Sequence, residues 1–155
     1  MDGYLSLAVM KNRKIVGYDL FGVKEERASP FIRREGATNW EKVGPYFFVP
    51  EALEEAKRKI LRHRENEFLI VDELGPLEIE GRGIWPALQA VLWKPSLRCL
   101  LVVRGNIFED FRNLMKGTPI KIFDIKRQDI LGLLSEEIQK EGIVKEEKNL
   151  KRCPS

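Results

Sequence analysis

Phe68-Leu69-Ile70-Val71 is an unbroken apolar run that stops at Asp72-Glu73-Leu74-Gly75-Pro76. A run without polar alternation predicts a strand buried on both faces, as in a parallel sheet covered by helices. A similar run, Cys99-Leu100-Leu101-Val102-Val103, stops at Arg104-Gly105-Asn106. Between the two, Trp85 to Trp93 has helical character. Phe108 to Met115 predicts a short helix, Ile120 to Ile125 a third strand, and Gln128 to Lys140 a last helix. Strand and helix alternating in this way specify an α/β layered fold, with a mostly parallel sheet and helices on both faces. In such sheets ligands bind beyond the carboxyl ends of the strands. Asp72-Glu73 and Arg104-Gly105-Asn106 stand at those ends, which directs the search for a site there.

Upstream, residues 4–10 and 14–21 read as two strands of a hairpin joined at Lys11-Asn12-Arg13. Gly22 to Gly44 is polar and irregular, and it holds either a short strand near Phe31-Ile32 or a functional loop. Tyr46 to Val49 predicts a strand. Pro50 opens a helix to about Arg64, with Leu53, Ala56, Ile60 and His63 along one face. The expected organisation is one α/β domain over 1–140 and a charged tail over 141–155.

The chain has 155 residues, 43% apolar and 33% charged, which suits a soluble globular domain and excludes a disordered one. No apolar run approaches the ~20 residues of a membrane span, and no secretory signal opens the chain. Cys99 and Cys153 sit in unlike settings and form no disulfide framework, so the expected compartment is the cytoplasm. Lys+Arg is 27 and Asp+Glu is 24. That dense, balanced charge hints at a thermophilic source and argues against a dedicated nucleic-acid binder. The basic residues from Lys57 to Arg64 read as the close of a helix whose start carries Glu51, Glu54 and Glu55. His63 reads as a packed or capping residue, and Trp85 and Trp93 as core.

Four apolar residues followed by Asp-Glu is also the Walker B pattern. Its first carboxylate holds the magnesium on nucleotide phosphates, and its second accepts the proton of an attacking water. Arg104, on the neighbouring strand end, is placed to stabilise charge on a transferring phosphoryl group. The competing reading is that acids after a strand are ordinary turn formers and caps.

The segment from Ile70 to Glu78, Ile-Val-Asp-Glu-Leu-Gly-Pro-Leu-Glu, resembles the hallmark of the thermophilic, or cancer-related, nucleoside-triphosphatase family. Gly3-Tyr4-Leu5 with Gly17-Tyr18-Asp19-Leu20, Val43-Gly44-Pro45-Tyr46, Ala52-Leu53-Glu54 and Val102-Val103-Arg104 are similar to further stretches of that family, so the likeness runs over about residues 3–138. The resemblance implies a P-loop fold and magnesium-dependent hydrolysis of nucleoside triphosphates such as ATP or GTP. By position it makes Asp72 the Mg2+ carboxylate, Glu73 the catalytic base, and Gly75 a nucleotide-binding position. The family's opening strand, Gly-x-x-x-x-Gly-Lys-Ser/Thr loop and helix have no counterpart here, for none of the 12 glycines is followed by lysine. Hydrogen bonds to charged groups contribute about 1.5–3 kcal/mol each, so three or four absent ones remove on the order of 5–10 kcal/mol. A micromolar site has only about 8 kcal/mol in all. The expectation is little or no hydrolysis by these residues alone. The gap left by the absent strand is then closed by pairing of its two neighbours, by a second copy, or by a separate chain carrying the P-loop. The alternative is a non-catalytic α/β interaction module.

Overall fold

The computed structural model describes residues 1–65 and 67–140. They group into two compact units, the first Met1–Lys116 and the second beginning at Gly117. The expected charged tail, with Cys153, lies outside the described residues.

The first unit opens with β1 (Asp2–Lys11) and β2 (Lys14–Gly22), a hairpin whose turn residues Asn12 and Arg13 have φ of 50° and 62°. Two left-handed residues in succession give the turn twist that matches paired strands. Next come β3 (Arg27–Arg33), β4 (Lys42–Val43), β5 (Tyr46–Phe48) and the helix α1 (Pro50–Leu61). After these follow β6 (Phe68–Leu74), a single turn α2 (Pro76–Ile79), α3 (Trp85–Leu92), β7 (Arg98–Val103) and α4 (Phe108–Leu114). The seven strands form one sheet in the order β4-β5-β3-β2-β1-β6-β7.

The α/β class is as expected. Parallel pairing is confined to β1 with β6 and β6 with β7, while the other four pairings are antiparallel. Joints as short as those among the first five strands cannot carry the crossover that parallel neighbours need. The polar stretch after Gly22 therefore does hold a strand, β3, longer than the two residues its composition marks.

The core lies where α1 packs on β1, β3 and α3. Tyr4, Phe31 and Phe48 meet edge to face there, with ring centroids 5.7 and 5.2 Å apart. Ala56, Ile60, Leu69, Val71 and Leu88 are fully buried around them. Gly3 permits the close approach of β1 to β6: its φ is 112°, and a Cβ there would stand 1.9 Å from the Ile70 carbonyl oxygen.

Two expectations need correction. Ile120–Ile125 forms no strand; Ile120, Ile122 and Ile125 are 43%, 53% and 78% exposed. A strand needs a neighbour to take its N–H and C=O groups, and among the described residues none is supplied, so water takes that place. β7 ends the sheet with β6 as its single strand neighbour among the described residues. Trp93 is not core: α3 stops at Leu92, and Trp93, at its C-terminal cap, is exposed, whereas Trp85 is buried. In the second unit, α5 (Ile130–Lys140) has no fully buried residue, and Glu137 pairs there with Lys121.

Candidate active site

Asp72 and Glu73 are the fifth and sixth residues of β6, inside the strand rather than after it. The ladder with β7 pairs Asp72 with Val102 and Leu74 with Val103, so Glu73 is an extra residue that re-aims the strand end. The Asp72–Glu73 peptide bond is cis. On β1, Ser6 lies beyond the last residue paired with β6, and its N–H donates to Asp72 Oδ2 at 3.0 Å. The Ser6 hydroxyl donates to the Asp72 main-chain carbonyl. Burial pushes the Asp72 carboxyl above the usual range, and the neighbouring Glu73 charge adds to that; the Ser6 N–H and Arg104 act the other way.

Arg104 follows β7 directly. Its N–H donates to the Leu74 carbonyl at 3.1 Å, and its Nε pairs with Glu73 Oε1. The fold thus brings together Asp72, Glu73 and Arg104, all three predicted from sequence. It also engages two of them, Glu73 through Arg104 and Asp72 through Ser6. Gly75 lies beside them in extended backbone, where a Cβ would meet Glu78 Oε2 at 3.7 Å and Arg104 at 3.9 Å. Those are ordinary contacts, so the protein's own packing does not require glycine there.

Sequence reasoning missed Glu78. It is 5% exposed, and its two oxygens accept the N–H of Gly75 at 2.8 Å and of Ile84 at 3.2 Å. One carboxylate therefore ties the turn after β6 to the start of α3. Burial raises its pKa above the usual range despite those two bonds, and the Glu41 charge adds to the shift. The available signal was a glutamate three residues after a helix cap, the second half of a capping box. Its first half is hidden, because Gly75 at the cap has no side-chain oxygen. Tyr4 is buried against this group; burial first, then the charges of Glu78, Asp72 and Glu73, push its phenol well above the ordinary range.

A small cavity opens beside these residues, lined by Tyr4, Ser6, Tyr18, Glu73, Glu78 and Arg104 among others. Among the described residues no three His, Cys, Asp or Glu side chains are arranged to hold a metal. Mg2+ commonly takes only one or two carboxylates, with waters and substrate phosphates completing its shell. The donor set fits that habit: Asp72 Oδ1 has no protein hydrogen bond among the described residues, and a second carboxylate, Glu73, follows it directly.

Elsewhere, most of the basic cluster is in ion pairs. Lys57 and Arg58 pair with Glu54 and Glu55, and buried Lys59 pairs with Glu25 and Glu55. His63 follows α1 and is half-buried; neither ring nitrogen has a hydrogen-bond partner among the described residues. Cys99 is a free thiol that burial pushes up to about 11. No described helix is long and apolar enough to cross a membrane.

The chain is similar to a human cancer-related nucleoside triphosphatase, with a TM-score of 0.64 at 18% identity over 97% of this chain and 84% of that one. It is also similar to THEP1 from the hyperthermophile Aquifex aeolicus, with a TM-score of 0.61 at 14% identity over 90% of this chain and 82% of that one. At such identities the likeness is one of fold. No match is found among curated proteins. The model of one family, described as NTPase, matches residues 1–139. With nine-tenths of its length so matched, and with the α/β sheet those two structures share, the chain belongs to the NTPase family.

Proposed function

We propose that these residues form the hydrolytic half of a magnesium-dependent nucleoside-triphosphatase, whose phosphate cradle comes from outside this sequence. The observation that carries the reading is the convergence of Asp72, Glu73 and Arg104 at the ends of two adjacent parallel strands. In this scheme Asp72 would hold a Mg2+, which would offset charge on the substrate phosphates. Glu73 holds the attacking water and takes its proton. Arg104 leaves Glu73 to meet the charge on the transferring phosphoryl group, and that exchange keeps the carboxylate paired until substrate arrives. Gly75 lets the nucleotide approach the backbone. The β7 edge is the place for the strand that leads into a P-loop, from a partner chain or a second copy.

Two measurements test this. Calorimetric titration of the 155-residue chain with Mg·ATP and Mg·GTP should give no binding below millimolar, with Asp72→Ala indistinguishable. Micromolar binding abolished by Asp72→Ala would mean that a cradle exists within these residues. Fusing a strand–Gly-x-x-x-x-Gly-Lys-Ser/Thr–helix segment ahead of Met1 should then restore hydrolysis, which Asp72→Ala or Glu73→Gln removes. A folded fusion that binds nucleotide yet shows no hydrolysis above Glu73→Gln rejects the catalytic role. That outcome favours the second reading, a non-catalytic α/β interaction module, for which the engagement of Asp72 by Ser6 and of Glu73 by Arg104 speaks.

A further inference from the structure

The turn of the β1–β2 hairpin runs past the sheet around it. β1 pairs with β6 only over Asp2–Tyr4 and β2 pairs with β3 only from Gly17 onward, so the tip from Met10 to Val16 projects as a short arm. Lys11, Arg13 and Lys14 crowd its turn and are all exposed. Arg34 joins them: its guanidinium donates to the Ile15 carbonyl at 3.4 Å and lies over the Tyr46 ring, 5.2 Å from the centroid. Tyr18 meets Tyr46 edge to face at 6.1 Å, and both rings are half-exposed. Asp19, the acid within this part of β2, is engaged by Arg33. Glu35 is next to Arg34 in sequence, and Glu73 and Glu78 line the cavity that Tyr18 also lines.

Balanced charge over the whole chain conceals this local imbalance. The basic residues of α1 are matched by Glu54, Glu55 and Glu25, whereas the four on the arm and Arg34 side carry no such partners in ion pairs among the described residues. Cations beside stackable rings on a rigid sheet are what a single strand of nucleic acid recognises, through its phosphates and its open base faces. A duplex hides those faces. A membrane surface would meet the cations of the tip and leave Tyr18 and Tyr46 unused. We propose that this arm binds single-stranded nucleic acid, with Lys11, Arg13, Lys14 and Arg34 on phosphates and Tyr46, backed by Tyr18, as the stacking ring. Tyr18 also lines the cavity of Glu73 and Arg104, so the track runs from the arm's turn towards that cavity.

The test is fluorescence anisotropy of the full chain with labelled oligo(U) and oligo(dT) of about 12 nucleotides, within the range one such surface covers. Four phosphate contacts on a single strand give a log–log salt slope of about −2 to −3. Lys11→Glu with Lys14→Glu should weaken binding at least about tenfold and flatten that slope. Tyr46→Leu should weaken it about fivefold with the circular dichroism spectrum unchanged. If that variant misfolds, Arg34→Gln, at an exposed position, takes its place and should also flatten the slope. Preference between the two oligonucleotides tells RNA from DNA. No binding at about 50 mM salt overturns the proposal, as does binding that ignores both sets of variants. Equal affinity for a duplex rejects the stacking role, and binding to phosphatidylserine vesicles but to neither oligonucleotide reassigns the arm to a lipid surface.

Discussion

β2 and the stretch Ile120–Ile125 start from similar material, short runs of apolar residues broken by single polar ones. One is a nine-residue strand between β1 and β3; the other forms no ladder at all. Intrinsic preference does not separate them, since both are rich in isoleucine, leucine or phenylalanine. Neighbours do. Lys14 follows a two-residue turn that places it opposite Lys11, and every later residue of β2 except Val16, the extra residue at a bulge, is recruited by the ladder already begun. No such starting point exists beside Ile120. A strand is a property of a pair, and its pattern in sequence is only a readiness to pair.

The sharpest way to break that contrast is to spoil a ladder that depends on one residue. Gly3→Ala should cost more than about 4 kcal/mol, because its Cβ would sit inside the Ile70 carbonyl and the left-handed backbone there is strained for alanine. Urea unfolding should show most of the stability gone. Next, Leu20→Ala on β2 should cost about 2–5 kcal/mol in the same assay, as expected for a side chain 2% exposed. At the other extreme of the comparison Ile122, 53% exposed, should be replaceable by alanine within about 0.5 kcal/mol. A loss near that of Leu20 would show that the 120–125 stretch is packed in solution.

His63 tests a different side of the paired region. Burial lowers its pKa, helped by Lys94 and Arg98 and opposed by Glu67 and Asp2. The unfolded chain therefore takes up the proton first. Stability is complete above the ordinary histidine pKa near 6.5 and falls as pH drops through it towards the depressed folded value. In His63→Phe the part of the melting-temperature decline between about pH 7 and 5 that belongs to this residue should vanish. An unchanged decline would assign it to other groups.

Much of this was legible. β6, β7, α1, α3 and the opening hairpin follow from apolar runs, helical spacing and a short polar joint. Asp72, Glu73 and Arg104 followed from being at the ends of those runs, and the fold does gather them. β3 was only half visible because Ser29 and Pro30 interrupt its pattern. Proline is tolerated there since β5 pairs only with Ile32 and Arg33, leaving no ladder bond for it to break on that side. Glu78 was missed for another reason: beyond half a capping box, its partners are main-chain N–H groups, which every residue but proline possesses and no sequence displays.

Ser6 and Asp72 carry a last implication. Where β1 leaves β6, the next hydrogen bond in line is made by a carboxylate in place of a carbonyl. The root of the projecting hairpin is thus fastened by a group whose charge can change. Protonation of that carboxyl would weaken it as the acceptor of the Ser6 N–H. The residue at the strand end and the anchoring of β1 beside it share one side chain.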